Sequence, residues 1–247
     1  MRAFRLFIAK LLSCWILKKS WRKNVRNFLF YFSLADYIKF RRQKFHIVSL
    51  GNNCLPRVLF TAIKLKPRKI YGEKTCPFDL CISNDIKSIT ELIKNNFKDY
   101  FVGLEFINNE WVNKKLNCIY IHDRNLNYIQ FKKRYNKRIK NFINLLHSSE
   151  KIYFVYSNYN SEKTITQCDI QNLYNILKLK RCQKPFELIL LTPFKINGLE
   201  NIIQIVDNID INDADWGVNM INQYNYIDNK YTHYMDNVFI KLKDIIK

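Results

Sequence analysis

Residues 45–60 have the sequence FHIVSLGNNCLPRVLF, and this stretch decides the fold class. The short apolar run at 45–50 predicts a buried β-strand. Gly51 and the two asparagines after it break the strand, and residues 54–65 then have the pattern of a helix, which Asn52 or Asn53 can cap. A strand that leads through a tight turn into a helix is the start of a βα unit.

The same alternation of strands and helices continues to the end of the chain. Further strands are predicted at 116–121, 151–156, 186–191 and 202–206, and further helices at 86–97, 131–146, 164–179 and 232–246. No internal repeat or shift in composition interrupts residues 45–247. The sequence therefore predicts one three-layer α/β domain with a mostly parallel central sheet.

Residues 1–44 form a basic amphipathic arm ahead of this domain. They hold twelve Lys or Arg and one acid, Asp36, so that +11 of the chain's net charge of +20 lies there. Apolar residues recur at helical spacing at Phe4, Phe7, Ile8, Leu11, Leu12 and Trp15. This pattern predicts an interfacial helix that contacts an anionic membrane surface, or a helix that packs on its own domain.

Membrane insertion and secretion are not predicted. Lys10 interrupts the apolar run, whereas a bilayer core needs about 20 apolar residues. No small-residue cleavage site follows the run, so a signal peptide is not expected. Seven cysteines without framework spacing indicate a reducing compartment. We expect a cytoplasmic protein, peripheral on the inner face of the membrane if the arm binds lipid, with no metal and no cofactor.

Polar residues follow three of the predicted strands. Ser49 lies at the end of the first strand and is followed by Gly51, Asn52, Asn53 and Cys54. His122 and Asp123 follow the second strand, and Asn158 the third. Ligands of open α/β sheets bind beyond the carboxyl ends of the strands. If these strands run parallel, a thiol, an imidazole and polar partners share one edge of the sheet.

Cys54 is the candidate nucleophile. At a helix N-terminus the thiolate is stabilised, which lowers the thiol pKa, and unpaired amides offer an oxyanion hole. His122 is then the base, and Asp79, Asp123 or Asn158 orients its imidazole. From the residues alone, Cys54 is also compatible with a small buried hydrophobe, His122 with a structural residue, and Asp79 with helix capping and turn stiffening.

A second loop cluster contains Asp215 and Trp216. These residues are predicted to line a substrate pocket, or to pack beneath a loop.

Three motifs in this order resemble a known family. S-L-G-N-N-C at 49–54, P-F-D at 77–79 and H-D at 122–123 are similar to those of a bacterial domain family of unknown function labelled "putative papain-like cysteine peptidases". The resemblance spans roughly residues 45–245. It implies a thiol nucleophile at Cys54, with His122 as its base. Members tend to be neighbours of surface-polysaccharide genes, so the resemblance also implies a connection with surface-polysaccharide assembly.

Two classes of function follow from these observations. The strand, turn, cysteine and helix resemble the nucleophile elbow of α/β hydrolases, so we expect a thiol-dependent hydrolase or acyl transferase that acts on an acyl or peptide-like substrate. The alternative is a non-catalytic, membrane-associated module that binds a glycan or phosphate. Nucleic acid is a disfavoured partner, because only the net charge supports it.

Overall fold

The computed structural model describes residues 2–51, 53–83, 85–159, 165–209, 230–243 and 245–246. The chain divides into two compact units. The first unit consists of residues 1–43 with 67–73, and the second of residues 44–66 with 74–247.

The first unit is helical. It contains α1 (Arg2–Ser13), α2 (Lys19–Tyr31), α3 (Leu34–Arg42) and a 3-10 turn at Lys69–Tyr71. Nε of Arg26 donates a hydrogen bond to Oγ of Ser13 over 2.9 Å and joins α2 to α1. Ser33 caps α3 by accepting the Asp36 N–H, and its own N–H donates to the Tyr71 hydroxyl over 2.8 Å. Within the described residues, no helix has the length and apolar character needed to cross a membrane.

The second unit alternates strands and helices as the sequence predicts, except that β3, β4 and β5 follow one another without a helix between them. In chain order it contains β1 (Phe45–Ser49), α4 (Leu55–Ala62), β2 (Ile82–Ser83), α5 (Ile86–Lys94), β3 (Leu104–Ile107), β4 (Glu110–Asn113), β5 (Cys118–Tyr120), α6 (Tyr128–Leu146), β6 (Lys151–Ser157), α7 (Gln167–Arg181), β7 (Phe186–Thr192), β8 (Ile203–Val206) and α8 (Lys230–Lys243). Strands β1, β6, β7 and β8 form a parallel sheet in that order. The predicted α/β class with a mostly parallel sheet is confirmed.

Helices cover both faces of the parallel sheet. Alternate residues of a strand point to opposite faces, and the two faces belong to two separate apolar clusters. Val48 and Phe154 lie in a cluster with buried residues of α5, α6 and α7. Ile47 and Val155 lie in a cluster with buried residues of α4 and α8. The second unit is therefore a three-layer α/β structure.

A second sheet corrects one expectation from the sequence. Strands β2, β5, β4 and β3 form an antiparallel sheet, so the strand predicted at 116–121 does not belong to the parallel sheet. The cause is the short turn before β5. Oδ1 of Asn113 accepts the Leu116 N–H over 3.0 Å, and Asn117 has φ of 47°. This turn folds β5 back on β4 as a hairpin.

A buried arginine fixes the connection between α6 and β6. The Arg181 guanidinium is fully buried at the end of α7. It donates to five backbone carbonyl oxygens at 2.8 to 3.0 Å, those of Leu145, Leu146, Ser148, Glu150 and Pro185. These carbonyls include the last acceptors of α6, which lack partners within the helix.

Candidate active site

The site begins at a sharp turn after β1. Gly51 has φ of 104°, a conformation that side-chain-bearing residues rarely adopt. A Cβ at this position would lie 3.3 Å from Cδ1 of Ile89 and 3.4 Å from Cβ of Ser83. The turn therefore requires glycine, both for its backbone angle and for its close contacts.

Asn53 links this turn to helix α4. Its Oδ1 accepts the Leu55 N–H over 2.9 Å and so stabilises the turn ahead of the helix. The N-cap residue itself is Cys54, without a side-chain cap hydrogen bond, so the prediction that Asn52 or Asn53 is the N-cap is wrong. Cys54 is the residue immediately before the helix, and its carbonyl accepts the Val58 N–H over 3.0 Å. The thiol-bearing residue thus lies at the helix N-terminus, beyond the carboxyl end of β1.

The seven cysteines, all within the described residues, differ in their exposure. Cys76, Cys81 and Cys118 are buried, Cys14, Cys168 and Cys182 are exposed, and Cys54 is half-buried. Burial raises the pKa of the Cys54 thiol, while a backbone hydrogen bond and the charge of Arg57 act in the opposite direction. The prediction that the helix N-terminus lowers the pKa of the Cys54 thiol is therefore wrong. Burial disfavours the charged thiolate by more than the backbone hydrogen bond and the charge of Arg57 stabilise it.

His122 lies in the turn that follows β5 and is exposed. Partial burial of the ring lowers the pKa of the imidazole, because it disfavours the charged form. Asp123 raises this pKa, and the charges of Arg57, Arg138 and Arg124 lower it. Because the net shift is downward from 6.5, the imidazole is neutral at pH 7 and can accept a proton.

Arg57 connects the two candidate residues electrostatically. Its positive charge lowers the pKa of both the Cys54 thiol and the His122 imidazole, so the guanidinium lies within Coulombic range of each. Within the described residues, no hydrogen bond joins the thiol to the imidazole. The sequence analysis missed Arg57, although its spacing of three residues from Cys54 on a helix places both on one face.

Asp123 is held by helix α6. Its buried carboxylate accepts hydrogen bonds from Arg134, from the Tyr135 hydroxyl at 2.7 Å and from Arg138 at 3.3 Å. These contacts fix the backbone next to His122. The Asp123 carboxylate therefore anchors the turn and influences His122 through its charge.

Asp79 occupies a separate buried network. Its Oδ2 accepts the Cys76 N–H over 2.6 Å, and its Oδ1 forms an ion pair with Nζ of Lys66 at 3.2 Å. Nζ of Lys66 also donates to the Ile47 carbonyl over 2.8 Å, which links the pair to β1. The geometry matches the turn-stabilising alternative for Asp79 rather than an orienting contact with His122.

Some of the remaining candidate residues lie at the carboxyl edge of the parallel sheet, and the others lie outside the described residues. Oγ of Ser49 accepts the Gly51 N–H over 3.4 Å. Asn158 follows β6, and its N–H donates to the Leu191 carbonyl over 2.8 Å. The Ser157 N–H donates to the Gly51 carbonyl over 3.5 Å, so Gly51 and Asn158 lie at the same carboxyl edge of the sheet. Asn52, Asp215 and Trp216 lie outside the described residues.

Two buried polar groups at this edge have no protein partner. Nδ2 of Asn53 and Oγ of Ser157 are buried and make no hydrogen bond in the described structure. Buried donors normally have a partner, and leaving one unpaired costs roughly 1–3 kcal/mol. The Asn53 amide, next to Cys54 in the chain, and the Ser157 hydroxyl, at the same edge of the sheet, are therefore available to a ligand.

These features define a class: a three-layer α/β protein with a half-buried thiol at the turn between its first strand and the next helix. Within the described residues, no three His, Cys, Asp or Glu side chains form a group that could hold a metal ion. A family model described as putative papain-like cysteine peptidase (DUF1796) matches residues 45–194. The chain belongs to this family, which confirms the resemblance seen in its three motifs. No curated protein and no solved structure matches the chain.

Proposed function

We propose that the second unit is a thiol-dependent acyl hydrolase or acyl transferase, with Cys54 as nucleophile and His122 as general base. The observation that carries the proposal is the position of Cys54. It is half-buried, follows the carboxyl end of β1 and precedes the first turn of α4, where ligands of α/β sheets bind. The chain's membership of the family described as putative papain-like cysteine peptidase also supports a cysteine nucleophile.

The two pKa directions define the resting state of the pair. A thiol with a raised pKa is protonated at pH 7, and an imidazole with a lowered pKa is neutral. The thiol therefore loses its proton as it attacks, and the imidazole accepts that proton. This is general-base catalysis rather than attack by a preformed thiolate that is paired with an imidazolium.

The reaction then follows in two steps. The Cys54 sulfur bonds to the acyl carbon, its proton passes to His122, and the carbonyl oxygen becomes an oxyanion. The imidazolium returns the proton to the leaving group as the tetrahedral intermediate collapses to a thioester. In the second step water, or an acceptor hydroxyl, attacks the thioester with His122 again as base, and the thiol is restored.

Positive charge and unpaired donors favour the oxyanion. Arg57 places a positive charge within range of the Cys54 sulfur, and the unpaired Asn53 amide is next to Cys54 in the chain. A donor directed at a developing oxyanion is worth about 10² to 10³ in rate in known hydrolases. The N-terminus of α4 adds a partial positive charge of the same sign.

We further propose that the acyl acceptor is a sugar hydroxyl of a surface polysaccharide. The resemblance to a family near surface-polysaccharide genes supports an acceptor hydroxyl on a sugar, which would make the protein a transferase. Hydrolysis and transfer differ only in the species that attacks the thioester.

Acylation by p-nitrophenyl acetate tests the nucleophile. The protein is mixed with this activated ester, and peptide mass spectrometry records which residue gains an acetyl group. We expect rapid acetylation at Cys54, lost in Cys54→Ser and slowed about a hundredfold in His122→Ala, because a general base contributes about 10² to 10⁴. The matched control is Cys182→Ser, which removes an exposed thiol outside the site and leaves the rate unchanged. Acetylation spread over the exposed cysteines with no preference for Cys54 would refute the proposal.

A binding module is the second candidate. Two observations favour it: the thiol pKa is raised, and no hydrogen bond joins Cys54 to His122 in the described structure. In that case Arg57 and the unpaired Asn53 amide bind the phosphate or hydroxyl groups of a ligand. Inorganic phosphate that protects Cys54 from alkylation, without any acyl adduct forming on Cys54, would support this candidate over catalysis.

A further inference from the structure

Helix α1 has an unusual distribution of side chains. Among its described side chains, from residue 7 onward, the fully buried ones are the small residues Ala9 and Ser13, and Ser13 accepts the hydrogen bond from Arg26 of α2. Of its described large apolar side chains, Phe7 is 62%, Leu11 59% and Leu12 50% exposed. In a helix that packs on a water-soluble core, the large apolar residues form the buried face. Phe7, Leu11 and Leu12 are instead exposed, where a partner outside the unit can contact them.

The exposed apolar surface continues beyond α1. In the segment that joins α1 to α2, Trp15 is 75% and Leu17 93% exposed. Trp21 and Phe28, seven residues apart on α2, are also exposed. Of the eighteen large hydrophobic side chains that are exposed among the described residues, ten lie between residues 7 and 38. Apolar exposure concentrated in this way marks an interaction surface.

Positive charges surround these apolar side chains. Lys10, Lys18, Lys19 and Lys23 are all exposed, and Nζ of Lys18 lies 5.3 Å from the centre of the Trp21 ring. Residues 1–44 carry twelve Lys or Arg and one acidic residue. Apolar and aromatic side chains set among lysines are the features that bind the interface of an anionic bilayer.

We propose that α1, the segment 14–18 and α2 bind the surface of an anionic lipid bilayer, with Phe7, Leu11, Trp15 and Leu17 inserted among the acyl chains. Helix α1 has 12 residues and is about 18 Å long at 1.5 Å per residue. That length is shorter than the roughly 30 Å of a bilayer core, so the helix lies in the interface and does not span it.

The charge of the surface selects the bilayer over other occupants. A second copy of the chain would bring two surfaces of like positive charge together, which opposes association. A nucleic acid would satisfy the lysines but would leave the aliphatic Leu11 and Leu17 in water. An anionic lipid surface satisfies both the cations and the apolar side chains. The inference goes beyond the thiol chemistry and does not depend on it.

Vesicle sedimentation with the full chain tests the proposal. The probes are vesicles of phosphatidylcholine alone and vesicles that also contain phosphatidylglycerol. Each surface-near cation adds about 1 kcal/mol, so we expect the partition coefficient to be more than about a hundredfold higher with the anionic vesicles. The excess falls as salt is added.

Paired variants separate this surface from general stickiness. Trp15→Ser combined with Leu17→Ser lowers the partition coefficient by at least about a hundredfold, because two large apolar side chains no longer leave water on binding. The matched control combines Ile129→Ser with Leu179→Ser, two exposed apolar residues of the second unit, and leaves the partition unchanged. Circular dichroism of every variant verifies the fold.

Tryptophan fluorescence gives an independent readout. Trp15 is exposed in the first unit and Trp111 is buried in the second. Anionic vesicles are expected to shift the emission to shorter wavelength, and Trp15→Phe to reduce this shift. Equal partition of both double variants, self-association without vesicle binding, or binding to duplex DNA in place of vesicles would each overturn the proposal.

Discussion

The substitution Asp123→Asn separates the structural role of this residue from its electrostatic one. The carboxylate accepts hydrogen bonds from Arg134, Tyr135 and Arg138 with both oxygens. An asparagine keeps one acceptor oxygen and places an N–H₂ group where the other was. At least one of the donors of Arg134, Tyr135 and Arg138 then faces the N–H₂ group of the asparagine. The buried Arg138 guanidinium also loses its negative counter-charge.

The magnitude follows from the burial of this cluster. The side chain of Asp123 is fully buried and that of Arg138 is 9% exposed. Breaking a buried ion pair by removing one partner costs about 3–5 kcal/mol, and the hydrogen bond that the amide retains brings the expected loss to about 3 kcal/mol. With a urea m-value of about 2–3 kcal/mol/M, the unfolding midpoint falls by about 1 M or more.

The same variant has a second readout at His122. The Asp123 charge raises the pKa of this imidazole, so its removal lowers that pKa further. A histidine is in its base form above its pKa, and Cys54 needs the base form of His122 to react. The low-pH side of the curve of Cys54 alkylation rate against pH, its acid limb, should therefore move to lower pH. A structural role alone would not move that limb.

Asp99→Asn is the matched control. Its carboxylate pairs with Nζ of Lys115 at 3.6 Å, and both side chains are 54% exposed. Exposed pairs contribute about 0–1 kcal/mol, so the midpoint should barely change. Equal loss of stability in the two variants, or an acid limb that moves to higher pH in Asp123→Asn, would refute the roles assigned to Asp123.

Two further substitutions test the framework of the site. Gly51→Ala forces a side chain into φ of 104° and within 3.4 Å of Ile89 and Ser83, so we expect a loss of about 2–4 kcal/mol and altered alkylation of Cys54, measured by urea unfolding and mass spectrometry. An unchanged midpoint would show that the turn relaxes freely. Arg181→Met removes the donors to five carbonyl oxygens and should cost about 3–5 kcal/mol in urea unfolding. Arg124→Met, which removes a pair with the partly exposed Glu110, should cost at most about 1 kcal/mol; similar losses in both would argue against the role of Arg181.

The sequence predicted the parallel sheet well because its strands are short apolar runs. Residues 45–50, 151–156, 186–191 and 202–206 each coincide closely with a strand of the parallel sheet. The run at 116–121 is equally apolar but pairs in the antiparallel sheet. Local pattern cannot distinguish these outcomes, because pairing depends on the turn that precedes the strand.

The hairpin of β3 and β4 carried a signal that was not used. Asn108 and Asn109 have φ of 50° and 66°, as in a type I′ turn. Two consecutive asparagines between Ile107 and Glu110 are a recognisable sequence sign of such a turn. This pair would have predicted a hairpin ahead of residues 116–121.

The candidate site was predictable in part. Strand-end logic located Cys54, Gly51 and Asn158 at the carboxyl edge of the parallel sheet. It could not predict the direction of the Cys54 pKa shift, because burial depends on side chains packed around the thiol and not on the helix that follows it. Arg57 acts through space on both candidate residues, which a linear pattern does not reveal.

The rate of Cys54 alkylation by iodoacetamide as a function of pH tests the central claim most directly. The measurement covers pH 5 to 9 in the wild type and in His122→Ala, with each cysteine resolved by mass spectrometry. We predict that Cys54 reacts at pH 7 faster than an isolated thiol of raised pKa. The alkylation rate should rise with pH along an acid limb whose midpoint lies below 6.5, the ordinary pKa of histidine. This acid limb should disappear in His122→Ala. A single titration above 9.0, the ordinary pKa of a thiol, that is identical in both proteins would contradict a catalytic Cys54–His122 pair.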